Sequence, residues 1–301
     1  MVNLSELTAL CEKLGCKIKT ECPLREYTTF RIGGPCRALV SINSAVSAAE
    51  LLRYLKANGI RYGIVGRGSN IIVSDDGFDG VILLIGSDFA GITVEGDTLK
   101  CQAGALLASA CVHAQQQGLT GMENLFGIPG TVGGALYMNA GAYGSEMKDV
   151  VVSAQYIGED CNIRTISAED MALSYRHSAF SERECIITSV TMKLAEGDPA
   201  AIKAAMTECM QKRSSKQPLE YPSAGSTFKR PEGSYASLLI DQCGLKGLSR
   251  GGAQVSEKHS GFVINTGDAT CSDVLGLCED IKKIVFDKTG FRLELEPVIL
   301  R

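Results

Sequence analysis

The chain has 301 residues, which exceeds the usual span of one hydrophobic core and predicts two or three packed domains. Apolar residues make up 45% and charged residues 21%, and 33 glycines accompany only 8 prolines, so the composition favours a folded protein with many tight turns over a disordered one. With 30 basic and 34 acidic side chains the net charge is −4, which argues against nucleic acid as a partner.

The N-terminal segment carries Glu6 and Glu12 and lacks a continuous apolar stretch, so no signal sequence is predicted. No window offers the ~18 uncharged apolar residues that a membrane span needs. We therefore expect a cytoplasmic protein that does not contact the membrane. The 12 cysteines include no Cys-x-x-Cys pair, and no histidine lies near their closest cluster, so we expect no metal and mainly small buried thiols.

The first part of the chain reads as short strands and helices in alternation. An amphipathic helix begins at Leu4, and a strand at 38–42, a helix at 45–57 capped by Ser44 and a strand at 62–65 form a β-α-β unit. Further along we expect a helix at 105–117 and short strands at 81–85, 92–94, 99–103, 150–158, 163–166 and 185–194.

A sharp break at 196–199 indicates a domain boundary. Beyond it the sequence predicts helices at 200–213, 234–242 and 272–288. The tail from 291 to 300 alternates Leu and Glu, as a strand with one buried face would.

A first glycine-rich segment, Gly66-Arg67-Gly68-Ser69-Asn70, follows the strand at 62–65. It offers backbone N–H groups, a hydroxyl and an amide, which suits an anionic pyrophosphate. The dinucleotide fingerprint is not matched, because Ile71 occupies the third glycine position. Taken alone, the segment is better explained as a glycine turn between strands.

A second segment, residues 127–144, contains six glycines in eighteen residues and almost no charge. This composition fits neither a solvated surface loop nor a packed core helix. We expect its backbone to lie very close to a large flat cofactor flanked by phosphates.

Six segments resemble, in order, those of the UDP-N-acetylenolpyruvoylglucosamine reductase family, also called UDP-N-acetylmuramate dehydrogenases. They are residues 28–34, 66–70, 127–144, 174–180, 224–231 and 255–259, and the resemblance extends over about 28–296. It implies a mixed α+β and α/β fold: an FAD-binding domain of the vanillyl-alcohol-oxidase (PCMH) type, made of subdomains 1–90 and 91–197, and a C-terminal α+β substrate-binding domain, 198–301. Few residues separate Arg176 from Ser226 in the sequence, which leaves no room for a tyrosine-bearing insertion and indicates the shorter subtype of the family.

The resemblance implies an NADPH-dependent flavoenzyme with non-covalent FAD. Its reaction reduces UDP-N-acetylglucosamine enolpyruvate to UDP-N-acetylmuramate, a step of peptidoglycan precursor synthesis that serves the cell wall, cell shape and cell division. The alternatives are a flavin-dependent sugar or hydroxy-acid oxidase of the same superfamily and a non-catalytic sensor of flavin or nucleotide sugar. A monomer is favoured over an oligomer.

Three residues carry the implied chemistry. Arg176 stabilises the negative charge on the substrate carboxylate, and Ser226 donates the proton. Glu296 is the catalytic acid, with Glu294 as its competitor because both lie on one face of an ideal strand. Without the resemblance, Arg176 reads as a surface arginine and Ser226 as a cap or turn hydroxyl.

The binding residues come from the same segments. The diphosphate of the substrate is assigned to Lys229, Arg230 and Lys258, each of which could equally be ordinary surface charge. The cofactor is assigned to Gly66, Arg67, Gly68, Ser69, Asn70, Gly130, Thr131, Gly133, Gly134, Asn139, Ala140 and Gly141.

Overall fold

A computed structural model describes residues 2–301 of the chain. Its α-helices within that range are α1 Leu4–Leu14, α2 Ala45–Ala57, α3 Leu107–Gln116, α4 Val132–Tyr137, α5 Pro199–Lys216, α6 Ala236–Gln242 and α7 Cys271–Thr289. No helix in the described range is long and apolar enough to span a membrane.

The strands are short, and most are antiparallel to their neighbours. They are β1 Lys17–Pro23, β2 Pro35–Ser41, β3 Tyr62–Val65, β4 Ile71–Val73, β5 Phe78–Leu84, β6 Ile92–Glu95, β7 Thr98–Gln102, β8 Leu119–Thr120, β9 Gly141–Ala142, β10 Ser145–Glu146, β11 Val151–Ile157, β12 Ile163–Ser167, β13 Ile186–Lys193, β14 Ala195–Glu196, β15 Ser249–Arg250, β16 Ala253–Val255, β17 Val263–Asn265 and β18 Val298–Leu300. This mixed α+β content confirms the predicted fold class.

The chain forms two compact units. The first comprises residues up to Thr20 together with 38–67 and 80–213, and the second comprises 21–37, 68–79 and 214–301. Both units are discontinuous in sequence. The three-part division at residues 90 and 197 stays a prediction.

The first unit is built on two sheets. One has the strand order β1-β2-β5-β3, and the other is antiparallel with the order β12-β11-β13-β7-β6. Its apolar core includes Leu51, Leu99, Leu136 and Val190, all buried. Burying such side chains stabilises the unit by roughly 1.5–3 kcal/mol each before the entropy of ordering is counted.

The predicted β-α-β unit is confirmed in its elements. Helix α2 and strand β3 have the expected bounds, and Ser44 forms a capping box with Ser47. Strand β5, however, pairs with β3 in parallel and lies between β3 and β2 in the sheet. The local pattern could not show that β5 separates β2 from β3 in the sheet, because β5 follows both strands in the chain.

The second unit has a small antiparallel sheet, β15-β16-β17, and the parallel pair β18-β4. Helix α7 begins at the capping box of Thr270 with Asp273 and ends at Gly290, whose φ of 76° is left-handed. Its core packs Val274, Ile281 and other α7 residues against side chains such as Phe228.

The prediction of one strand over 291–300 is wrong. Only Val298–Leu300 form a strand, and Leu295 makes an isolated bridge with Phe228. Pro297 lies between these two pairings, and proline has no N–H with which to continue a ladder. The chain therefore changes its partner at that residue, from the segment around Phe228 to β4.

The expectation that residues 127–144 contain no packed helix is also wrong. Helix α4 lies within them, and its Val132, Ala135 and Leu136 are buried. Gly133 explains how the helix fits: a Cβ there would lie 2.7 Å from the Cβ of Ala103. The close backbone approach at this glycine is to protein.

Eleven of the twelve cysteines are buried, and Cys185 is half-buried. All twelve are free. Burial raises the pKa of the Cys101 thiol to about 12, so it behaves as a small apolar side chain.

Candidate active site

The first unit brings the two glycine-rich segments together. Gly66 follows the last residue of β3, and a Cβ on it would lie 2.5 Å from the Thr131 hydroxyl oxygen. Thr131 is 3% exposed and caps α4, accepting a hydrogen bond from Gly134 N at 3.3 Å. Gly66 is therefore required where the two segments meet. Gly134 is exposed, and Gly130 has a φ of 158°.

The rest of the first glycine loop divides between the two units. Arg67 is exposed and ends a stretch of the first unit, whereas Gly68, Ser69 and Asn70 belong to the second. A Cβ on Gly68 would collide with the carbonyl of Tyr27, so glycine is required for the loop to pass there.

Hydrogen bonds with other protein groups engage all three predicted cofactor residues at 139–141, which are Asn139, Ala140 and Gly141. Asn139 is 0% exposed and has a φ of 45°, and its Nδ2 donates to Glu146 Oε2 at 2.8 Å. Ala140 N donates to Ala135 O, and Gly141 pairs with Glu146 between β9 and β10. Their predicted contact with a cofactor stays a prediction, and the Asn139 amide already has protein partners.

Arg176 lies at the tip of a tight turn in the first unit. Ser174 and His177 exchange two backbone hydrogen bonds of 3.2 Å, which leaves Tyr175 and Arg176 as the tip residues. Arg176 has a φ of 55°, a left-handed conformation that costs a non-glycine residue about 1–2 kcal/mol. Such a conformation persists where the surrounding contacts fix it.

The charge of Arg176 interacts with the carboxylate of Glu146. The pKa of Glu146 is held below its usual value, mainly by the hydrogen bond with Lys148 and also by the Asn139 amide and the charge of Arg176, while burial opposes the shift. Lys148 Nζ lies 2.9 Å from Glu146 Oε2. Glu146 is therefore ionised at neutral pH.

In the second unit, the segments of Ser226 and Glu296 lie side by side. Glu296 N donates to Thr227 O at 3.0 Å, and Asn70 Nδ2 donates to Glu296 O at 3.3 Å. Ser226 follows Gly225, whose φ of 78° is left-handed. Within residues 2–301 the Ser226 hydroxyl has no hydrogen-bond partner. The structure thus places the predicted proton donor next to the segment of the predicted acid.

The two candidate glutamates differ in their surroundings. The Glu294 side chain is 76% exposed, and its Oε2 lies 3.7 Å from Lys229 Nζ. Glu296 is half-buried. This contrast favours Glu296 as the acid, because a carboxylate engaged by a lysine at the surface is poorly placed to donate a proton.

The other two predicted phosphate ligands have protein partners. The guanidinium of Arg230 stacks over the Tyr235 ring at 4.7 Å from its centroid. Lys258 Nζ donates to Ser214 O at 2.8 Å and lies 3.5 Å from Glu220 Oε2. Both side chains would need to exchange these contacts to bind a diphosphate.

Sequence reasoning missed Arg213 on α5. This arginine is 8% exposed, and its Nε is buried without a hydrogen-bond partner in the described chain. It packs against Gly127, where a Cβ would lie 2.9 Å from Arg213 Cδ. The helical periodicity of the sequence could have indicated that Arg213 is buried, since it continues the buried face of α5 formed by Ile202, Met206 and Cys209.

The burial of Arg213, with its Nε atom unpartnered in the described chain, is energetically unfavourable. Burial lowers the pKa of its guanidinium, with the nearby Tyr143 acting in the opposite direction. A buried cation without a partner is destabilising until an anionic or electron-rich group meets it. Together with the exposed, side-chain-free backbone of Gly134, Arg213 fits a dinucleotide cofactor in the first unit.

Family models match both parts of the chain. Residues 36–167 match the model described as "FAD binding domain". Residues 217–300 match the model described as "UDP-N-acetylenolpyruvoylglucosamine reductase, C-terminal domain".

Named relatives match nearly the whole chain. The UDP-N-acetylenolpyruvoylglucosamine reductase of Caldanaerobacter subterraneus subsp. tengcongensis is 48% identical over 277 residues, which cover 92% of this chain and 91% of the relative. The reductase of the same name from Clostridium perfringens is 45% identical over 282 residues, or 94% of this chain and 92% of the relative.

A solved structure agrees with these matches. The crystal structure of UDP-N-acetylenolpyruvylglucosamine reductase from Thermus caldophilus superposes with a TM-score of 0.81 at 33% identity. It covers 95% of this chain and 99% of the other.

Proposed function

Because the chain belongs to the UDP-N-acetylenolpyruvoylglucosamine reductase family, we propose that it reduces UDP-N-acetylglucosamine enolpyruvate to UDP-N-acetylmuramate with NADPH, in peptidoglycan precursor synthesis. The reaction converts an enolpyruvyl ether into a lactyl ether. A hydride adds to the terminal carbon of the double bond, and a proton adds to the carbon beside the carboxylate. The observation that carries the proposal is the pairing of the Ser226 and Glu296 segments, with a serine hydroxyl that no group in residues 2–301 engages.

FAD is the cofactor that this function requires. When bound, it takes a hydride from NADPH and passes a hydride to the enolpyruvyl double bond. The residues that would hold it in the first unit are Gly66, Gly130, Thr131, Gly134 and Arg213. The first four offer backbone and hydroxyl groups at the junction of the glycine segments, and Arg213 offers a buried positive charge.

Arg176 would face the substrate carboxylate. Negative charge gathers on that carboxylate between hydride addition and protonation, and a fixed guanidinium lowers the energy of the resulting enediolate-like species. Its left-handed backbone and the tight turn between Ser174 and His177 fix its backbone before substrate binds, and its charge interacts with the Glu146 carboxylate. Such preorganisation is most effective for charge that develops during the reaction.

Ser226 would donate the proton, and Glu296 would act beside it as the catalytic acid. A hydroxyl that no described residue engages can turn toward the carbon that needs the proton. The backbone of Glu296 is fixed by hydrogen bonds with Thr227 and Asn70, which holds the residue beside the Ser226 segment.

Lys229, Arg230 and Lys258 would bind the substrate diphosphate. Each is a cation in the second unit, and each has an exchangeable protein partner: a glutamate, a tyrosine ring, or a carbonyl with a glutamate. We further propose the three-part division at residues 90 and 197, a monomeric state and a cytoplasmic location.

Stopped-flow absorbance of the purified protein tests the proposal. We expect yellow protein that releases free FAD on denaturation, flavin bleaching by NADPH under anaerobic conditions, and rapid return of colour when the enolpyruvyl nucleotide sugar is added. Return of colour with oxygen but not with the sugar would instead identify an oxidase. A colourless protein that does not take up added FAD would contradict the proposal.

A further inference from the structure

The turn that carries Arg176 is attached at both ends to the glycine-rich segment 127–144. Ser174 O, at the start of the turn, accepts a hydrogen bond from Asn139 Nδ2 at 2.9 Å. Ser178, just after the turn, donates from its hydroxyl to Tyr137 O at 2.5 Å. Ser178 is 0% exposed, so this hydroxyl is shielded from water.

Asn139 is itself held on three sides. Its Nδ2 also donates to Glu146 Oε2 at 2.8 Å, and its Oδ1 accepts from Lys148 N at 2.9 Å. The side chain is fully buried, and its backbone φ of 45° is one that asparagine tolerates better than most residues. A buried amide with all three contacts satisfied has one orientation.

We propose that Asn139, assisted by Ser178, is a positioning residue that sets the place of Arg176, so that the arginine recognises the carboxylate of the lactyl or enolpyruvyl group. This inference rests on the proposed function, and it gives Asn139 a role other than direct cofactor contact. The amide fixes one end of the turn through Ser174 and the Glu146 carboxylate through its second N–H. The same amide thus fixes both the backbone of the turn and the carboxylate whose charge interacts with Arg176.

The test is equilibrium binding to the FAD-loaded protein, measured by calorimetry with two ligands. UDP-N-acetylmuramate carries the lactyl carboxylate, whereas UDP-N-acetylglucosamine lacks it. Asn139→Gly removes the amide while keeping a residue that accepts a left-handed φ. We expect it to weaken binding of UDP-N-acetylmuramate about tenfold and to leave the affinity for UDP-N-acetylglucosamine unchanged. A tenfold effect corresponds to the loss of one well-placed contact to a charged group.

Three further variants make the test specific. Ser178→Ala removes the second attachment and is expected to act in the same direction, which keeps the inference testable if Asn139→Gly does not fold. Asn162→Gly changes an asparagine whose amide bonds within its own turn, and it should change neither affinity. Arg176→Ala should abolish the preference for UDP-N-acetylmuramate, and adding Asn139→Gly to it should have no further effect.

Hydrogen exchange gives a readout without ligand. In Asn139→Gly the amides of Ser174 and His177 should exchange faster, while those of the five-stranded sheet should not change. Equal weakening of both ligands, or a full effect of Asn139→Gly in the Arg176→Ala background, would overturn the inference and leave the proposed function intact. An Arg176→Ala variant that keeps its preference would instead remove Arg176 from carboxylate recognition, and with it this inference.

Discussion

The turn around Arg176 and the segment around Ser226 hold their functional groups in opposite ways. Arg176 has a left-handed backbone, a turn tied at both ends, and a carboxylate whose low pKa reflects the surrounding positive charge. Ser226 directly precedes the residues that pair with the Glu296 segment, so the backbone of its neighbours is fixed, whereas its own hydroxyl has no partner in the described part of the chain.

The difference corresponds to the chemistry proposed for each residue. A charge stabiliser works best when its position is set beforehand, because reorienting a dipole or ion during the reaction costs free energy. A proton donor must change its bonding as the proton leaves, so a hydroxyl already engaged by protein would have to break that bond first. The function of the Arg176 turn is therefore expected to be sensitive to loss of the contacts that position it. The function of the Ser226 segment should instead depend on the serine hydroxyl itself.

Ser226→Ala should produce the largest effect. We expect NADPH to bleach the flavin at the normal rate, whereas reoxidation by the enolpyruvyl sugar should slow by about 10²–10⁴-fold, the range for loss of general acid catalysis. Stopped-flow absorbance separates the two half-reactions. Thermal stability should not change, because the hydroxyl has no hydrogen bond to another described residue that the substitution could remove.

Ser234→Ala is the matched control, since it removes a serine hydroxyl elsewhere in the second unit. It should leave both half-reactions unchanged. Normal reoxidation in Ser226→Ala would exclude Ser226 from proton transfer and would remove the contrast between the two regions.

The two tail glutamates should differ in the same assay by a smaller factor. Glu296→Gln is expected to slow reoxidation by the sugar about 10²-fold, as loss of one preorganised group does. Glu294→Gln breaks only an exposed contact with Lys229, which is worth little in water, and should stay near the wild-type rate. The reverse order of effects would move the catalytic acid to Glu294.

Sequence patterns predicted the elements that local signals determine. Helix α2 has a serine cap, an apolar face and an Asn-Gly end, and it was predicted with its observed bounds. Strand β4 was missed because it has only three residues, and its partner β18 lies more than two hundred positions away. Pairing at that distance leaves no trace in local periodicity.

The candidate site shows the same division. The family motifs identify Arg176, Ser226 and Glu296 by residue type, but they do not show that Asn139 supports one of them through Ser174. Gly133 was predicted to approach a cofactor, yet its closeness is explained by Ala103. Close approach can be inferred from glycine, whereas the group approached depends on the tertiary structure.

Arg213 extends the comparison within the first unit. Its buried Nε has no hydrogen-bond partner in the described chain, whereas the charge of Arg176 interacts with the Glu146 carboxylate. Arg213→Met keeps an apolar stem of similar length and removes the charge. We expect the Kd for FAD to rise about tenfold, and the FAD-free protein to melt at the same or a higher temperature, because the cost of burying a charged group is removed. Lys212→Met is the control, since Lys212 neighbours Arg213 and pairs with Glu208 at the surface. An unchanged Kd combined with a lower melting temperature of the FAD-free protein would show that Arg213 serves packing alone.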